Sequence, residues 1–240
     1  MVDSLSGLEP IGEGLVQAFY LIVSLDPTII DITLRSLLIT FSAVIIGSLI
    51  SLPLGALISF NDFPGKKTVI NLIQTLYAIP TVVVGLVVFM FLRRIGPFGF
   101  LDLLFTPGGM IIGQTILVLP IITGLTISAL SGLDTTIRDT IISLGATSLQ
   151  FFLSVMKEVR FAIFAAIALA FGRAISEVGA AIIIGGNIQT GTFWGSTRIL
   201  TTAITLETGK GDIALSIALG IILLCIALIV NSLMTIVQQR

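Results

Sequence analysis

Long charge-free runs of apolar residues dominate this chain. A helix needs about 20 such residues to cross the hydrocarbon core of a bilayer. Four runs are long enough: 36–60, 70–92, 107–133 and 213–237. A fifth, 161–185, is equally apolar but carries Arg173 and Glu177. The pattern predicts five membrane-spanning helices. The apolar stretch 15–25 is only about half a span in length. Glu13, Gln17, Tyr20 and Ser24 fall on one narrow helical face there, and Asp26-Pro27 stops the helix. This predicts a helix over about 13–25 lying in the interface plane, with a sixth, poorly formed span as the alternative.

The connections differ in character. Segment 61–67 is short, with Pro64-Gly65 as a turn signal. Segment 93–106 is rich in Gly and Pro and loop-like. Segment 134–160 is long and mostly helical in pattern. Segment 186–212 is long and holds Gly, Thr and Asn, with one short apolar piece at 199–206. Prolines sit inside three spans, at Pro53, Pro80 and Pro120. Each removes a backbone donor and tends to kink its helix. Either these helices are shaped around a pathway that opens and closes, or the prolines reflect the ordinary packing of spanning helices.

Composition agrees with the pattern. Of 240 residues, 55% are hydrophobic and 10% charged, and the mean hydropathy is +1.15. A water-soluble surface needs roughly 25–35% charged residues, so this is an all-α integral membrane chain, read as a single domain over 1–240. The net charge of −1 gives no basic field for nucleic acid. There is no histidine, which removes the commonest general base and metal ligand. With no paired carboxylates within a span either, an intramembrane enzyme is disfavoured, and no catalytic or metal-ligating residues are expected. The lone Cys225 forms no intrachain disulfide. The N-terminal residues, with Asp3, Glu9 and Glu13, lack the basic start of a signal peptide. With five spans, the 61–67 and 134–160 connections share a side with the C-terminus. That side holds Lys66, Lys67, Arg138, Lys157, Arg160 and Arg240, against Arg35, Arg93, Arg94, Arg198 and Lys210 on the other. The positive-inside rule then favours the first side as cytoplasmic.

Arg173 and Glu177 are four residues apart, one above the other on a helix. At about 100° per residue, Ala162, Ala166, Ala170 and Ala174 share their side, and Phe164, Phe171, Ile175, Val178 and Ile182 fall opposite. Small residues admit close helix packing and bulky apolar ones suit lipid, so the pair faces protein or a cavity. Ionisable groups in a span are functional suspects. The pair lines, gates or braces a transport route, or is a self-neutralising pair that holds the helix in place. Its zero net charge suits a brace better than an anion site.

In 134–160, helical spacing over 135–144 is broken at Gly145. A second helix follows, with Leu149, Phe152, Leu153 and Met156 at the spacing of an amphipathic face. An apolar face clear of the membrane needs a partner. The stretch from Asp139 to Gly145 and Ala146 resembles the Glu-Ala-Ala loop of ABC importer permeases. Asp139 stands for the usual Glu, Thr140 and Ile141 replace the alanines, and Val155 to Glu158 lack the proline of the usual ending. Downstream, Gly172-Arg173-Ala-Ile-Ser-Glu177-Val-Gly179 and Gly185-Gly186-Asn187-Ile188 resemble the signature of oxyanion importer permeases for molybdate, sulfate and tungstate. Together with Thr197-Arg198, Thr201-Thr202, Glu207 and Lys210-Gly211 they are most similar to the tungstate type. Segment 189–196 is longer than that pattern leads one to expect.

The resemblance implies a type I importer permease fold and a site for ATPase coupling over 134–160, at Asp139, Gly145, Ala146, Leu149, Phe152, Leu153 and Met156. It implies a homodimer in the cell membrane, embedded in lipid, with the N-terminus outside and the C-terminus cytoplasmic. Its partners would be two cytoplasmic ATPases and one extracytoplasmic oxyanion-binding protein. ATP and Mg would sit on the ATPase, and nothing in this chain matches a phosphate-binding Gly-x-x-x-x-Gly-Lys-Ser/Thr loop. An oxyanion needs donors. Asn187, Thr190, Thr192, Thr201 and Thr202 are candidates, although such residues in loops commonly just satisfy backbone. The rival class is an ATP-independent secondary transporter or channel.

Overall fold

A computed structural model of the chain describes residues 9–238. The termini beyond them, with Asp3 and Arg240, and the Arg138 side chain lie outside what is described. Helix is the regular secondary structure of the described residues, with no strand among them. In chain order the helices are α1 (Glu9–Val23), α2 (Pro27–Phe60), α3 (Lys66–Thr75), α4 (Thr81–Leu92), α5 (Pro107–Ser131), α6 (Thr135–Ser143), α7 (Ser148–Glu158), α8 (Arg160–Ile175), α9 (Gly179–Gly185), α10 (Leu200–Lys210) and α11 (Ile213–Gln238). Three unbroken helices, α2, α5 and α11, are long and apolar enough to span a membrane, and the bent pairs α3/α4 and α8/α9 bring the number to five.

Four of the elements differ from the apolar windows. The first span begins at Pro27, nine residues before the window. Asp26 caps α2 by accepting the Thr28 N–H at 2.8 Å, and proline occupies the first turn, where its missing donor costs nothing. Asp31 and Arg35 ended the charge-free window, yet they lie inside the helix as an i,i+4 ion pair. The 70–92 window is not one rod. It bends by 99° between α3 and α4, through a 3-10 turn at Leu76–Ala78 and an extended Ile79 before Pro80. The residue before a proline is pushed out of the helical region. Pro53 and Pro120 lie inside helices that continue past them.

The 161–185 window also breaks, by 61°, between α8 and α9, so its helical face holds for α8 alone. Ala166, Ala170 and Ala174 are buried as expected, whereas Phe171 and Ile175 are buried too, packed with Val44, Val118 and Ile122 of α2 and α5. Phe164 and Ile182 remain exposed. The fourth difference is α10, an 11-residue helix where a short apolar piece within a loop was expected. Its Leu200 and Ala203 are buried with Ala18 of α1, Ile32 of α2 and Leu219 of α11.

Small residues set the spacing of the bundle. A Cβ on Gly47 would lie 2.7 Å from the Val118 side chain, one on Gly55 2.8 Å from Thr126, and one on Gly85 2.7 Å from the Ala180 Cα. The outer faces remain apolar, with Leu49, Leu57, Leu224 and Leu228 exposed, as lipid contact demands. The two ends of the bundle are distinct. At one, the Phe60 ring at the end of α2 meets Phe151 of α7 at 5.0 Å. At the other, the Phe105 N–H donates to Ile184 O at 2.9 Å. Over its 25 residues, α5 covers about 37 Å between them.

Gly85→Ala is expected to force α4 off α9, because the obstructing atom is backbone and cannot rotate away. A loss of ~1–3 kcal/mol would be read as a lower unfolding temperature in detergent.

Candidate functional site

The break between α8 and α9 is organised by Glu177, which is 2% exposed. Arg173 Nη1, in the last turn of α8, donates to Glu177 Oε2 just beyond the helix end at 3.1 Å. The Ala180 N–H, in the first turn of α9, donates to Glu177 Oε1 at 2.9 Å. The Thr201 hydroxyl of α10 donates to the Glu177 carbonyl at 2.7 Å. One residue thus ties three helices together. The other broken span joins the same junction: a Cβ on Gly179 would meet Val82 at 2.8 Å and Thr81 Oγ1 at 3.3 Å, both in the first turn of α4. Arg173 is 39% exposed on its side chain and opens on a groove between α8 and α11 lined by Ser176, Ala227 and Asn231.

Beyond α9 the chain forms a hydroxyl-stapled loop. Asn187 adopts a left-handed backbone, and its Nδ2 donates to Thr202 O at 3.0 Å. The Thr197 hydroxyl donates to Gly185 O and accepts the Ile188 N–H. The Thr202 hydroxyl donates to Ile199 O at 3.2 Å, and Thr190 Oγ1 donates to Thr192 O at 3.1 Å. Ser196 Oγ lies 2.9 Å from Thr192 O and takes the Thr190 N–H at 2.9 Å. The five candidate anion donors are therefore gathered around one loop: Asn187, Thr190, Thr201 and Thr202 donate to backbone carbonyls, and Thr192 Oγ1 accepts the Gly195 N–H.

Sequence reasoning passed over the residue that holds this loop. Arg35 is 1% exposed. Its Nε donates to Phe193 O at 3.1 Å and its Nη1 to Arg198 O at 3.0 Å, Nη2 pairs with Asp31, and the guanidinium lies 4.9 Å from the centre of the Phe193 ring. The adjacent Ser36 hydroxyl accepts the Leu200 N–H that opens α10. Buried Glu207 bridges Arg198 at 3.2 Å and Lys210 at 3.0 Å. The signal for Arg35 was its i,i+4 spacing from Asp31 just after a helix-capping Asp-Pro.

At the opposite end of the bundle, α6 and α7 flank Gly145, whose φ of +74° suits glycine. Thr136 donates its N–H to Asp134 at the start of α6, and its backbone and side-chain hydrogen bonds hold the Asp134 carboxyl below its usual range, so this cap is kept at neutral pH and lost only in acid. Thr147 and Gln150 form a reciprocal capping box on α7. The expected apolar stripe of α7 divides. Val155 is fully buried, with Phe152 and Met156 packed beside it against Ala56 and Leu130, while Leu149 and Leu153 are 67% and 57% exposed. The stripe divides because one side of the helix meets the end of the bundle, while the side bearing Leu149 and Leu153 is largely uncovered among the described residues. Ile142 and Leu144 are exposed beside them, as is Asp139, and Ala146 is half-buried. Among the described residues no group of His, Cys, Asp and Glu could hold a metal ion.

Arg173→Met is expected to lower stability by ~1–3 kcal/mol, because it leaves a buried carboxylate without its cation. The double change Arg173→Met with Glu177→Gln is expected to recover most of that in a detergent melting experiment. Transport by the stable double variant then separates a brace, which the double variant replaces, from a gate, which it does not.

A family model described as "Binding-protein-dependent transport system inner membrane component" matches residues 47–240. A "Probable anion ABC transporter permease protein" of Haloferax volcanii is 45% identical, over 85% of this chain and 88% of its own. A "Tungstate uptake system permease protein TupB" of Peptoclostridium acidaminophilum is 38% identical, over 97% of this chain and 100% of its own. The inward-facing MetNI methionine ABC transporter shares the fold, with a TM-score of 0.65 at 17% identity, covering 96% of this chain and 97% of that one. Five apolar spans, a helix–glycine–helix pair at one end and a match that runs from residue 47 to residue 240 lead to one conclusion: this chain belongs to the family of binding-protein-dependent transport system inner membrane components.

Proposed function

We propose that this chain is the translocation subunit of an ATP-driven importer for a tetrahedral oxyanion, tungstate before molybdate or sulfate. The observation that carries the substrate class is the similarity to a tungstate uptake permease along 233 aligned residues. The structural support for ATP coupling is the pair of exposed leucines on α7, Leu149 and Leu153, which no other part of the described chain covers. Partner ATPases would take that face, and they would carry the nucleotide chemistry. The α6–α7 end is then cytoplasmic, as is the C-terminal end of α11.

Five spans cannot easily enclose a polar route and close it at both sides. Two copies about a two-fold axis can. Closure of the ATPases would press the α6–α7 pairs together, and the spans would rock between inward- and outward-facing states around the broken helices. An extracytoplasmic binding protein would deliver the anion at the other end and supply most of the selectivity, since tetrahedral dianions differ little in charge and shape.

The substrate is tested by uptake of tungsten, molybdenum and sulfur, with and without this chain, at limiting oxyanion supply. Tungsten uptake alone is expected to fall. A fall in molybdenum or sulfur instead corrects the substrate and leaves the importer reading standing. Coupling is tested by Leu149→Glu with Leu153→Glu. Both side chains already face outward, so the amount of protein in the membrane is expected to stay unchanged while uptake drops at least about tenfold, a loss of ~1.4 kcal/mol or more in docking. A self-contained channel or secondary transporter would tolerate the change.

A further inference from the structure

The loop 189–196 ends the bundle opposite the α6–α7 pair and presents Trp194, the only tryptophan in the chain, at 64% exposure. Phe193 braces it edge-on, with ring centroids 5.6 Å apart. The backbone beneath is unusually constrained for an exposed tip. Ser196 Oγ contacts the Thr190 and Thr192 carbonyls at 3.1 and 2.9 Å, Gly195 N–H donates to Thr192 Oγ1 at 3.2 Å, and buried Arg35 clamps the carbonyls of Phe193 and Arg198. Gly195 is required by this staple, because a Cβ there would sit 2.6 Å from both Thr190 Oγ1 and Thr192 Oγ1. The segment carries no charge.

We infer that Trp194 is the docking anchor for the extracytoplasmic binding protein, held ready by the Thr190–Ser196 staple and the Arg35 clamp; this rests on the importer reading above. A tryptophan that only seats itself among lipid headgroups needs no fixed backbone, since its amphipathic ring finds the interface by itself. A protein partner does reward a fixed backbone, because pre-ordering a loop removes part of the cost of association. Tryptophan is also among the residue types enriched at the energetic centre of protein interfaces. The absence of charge means that contact is made by shape and apolar burial, and salt should change it little.

The test uses the complete permease–ATPase complex in nanodiscs and its tungstate-loaded binding protein. The readout is the stimulation of ATP hydrolysis as binding protein is titrated. Trp194→Ala is expected to raise the half-stimulating concentration by about 10–30-fold with basal hydrolysis unchanged, and Trp194→Phe to restore part of the loss. Gly195→Ala keeps the indole but breaks the staple, and is expected to weaken stimulation in the same direction. A permease labelled with 5-fluorotryptophan gives a single fluorine signal from Trp194. That signal is expected to shift when binding protein is added and to be insensitive to a paramagnetic headgroup lipid before it. A Trp194→Ala complex stimulated at the wild-type concentration overturns the docking role alone. A fluorine signal relaxed by the lipid and unmoved by binding protein assigns Trp194 to the membrane and also overturns it. A wild-type complex that no binding protein stimulates overturns the importer reading first and this inference with it.

Discussion

Inside a bilayer, a helix that breaks must find new partners for the backbone groups it frees, because no water is at hand. This chain breaks two of its spans and packs the two breaks together. Glu177 makes that arrangement possible. One carboxylate oxygen receives the Ala180 N–H at the start of α9, the other receives Arg173 at the end of α8, and its carbonyl receives the Thr201 hydroxyl from α10. Gly179 lets the start of α4 approach the same point. The carboxylate is stable there because it is both paired and hydrogen-bonded, which is the condition for burying a charge. The packing of α4 on α9, and through Ile184 and Met110 on α5, follows from where this junction lies.

α2 connects the junction's surroundings to both ends of the molecule. Near its start, Arg35 and Ser36 hold the loop and the first turn of α10. At its end, Ala56 and Phe60 carry α7. Between them it packs along α5 through Gly47 and Gly55. One helix thereby links the loop end of the bundle to the α6–α7 end.

The division of apolar surface has the same origin. On the importer reading, residues that face lipid and residues that would face a protein partner are equally apolar, and what separates them is position along the bundle. Leu224 and Leu228 lie on the flank of α11, whereas Leu149 and Leu153 lie on a helix beyond the end of the spans. Trp194 occupies the corresponding position at the other end.

The sequence by itself determined that this is a multi-spanning helical membrane protein, roughly where its five apolar segments fall, though not the nine residues by which α2 starts early nor the two breaks, and that a helix–glycine–helix pair stands between α5 and α8. Those features follow from local chemistry: transfer of apolar side chains into hydrocarbon, the periodicity of a helix, and the φ that only glycine takes readily. Arg173 and Glu177 were legible as a pair because a spacing of four is a local fact. That α8 stops at Ile175, between Arg173 and Glu177, was not legible, because nothing in 161–185 disfavours a helix as proline does, and the break is decided by partners on α4 and α10. The same limit applies to Arg35. As a charge it marked the edge of an apolar run, and only the fold brings to it two carbonyls from some 160 residues away. The stripe on α7 could be read as apolar but not as divided. Which leucines stay outside depends on how α7 meets Ala56 and Leu130, and the seating of one surface on another distant in the chain is a property that only tertiary structure decides.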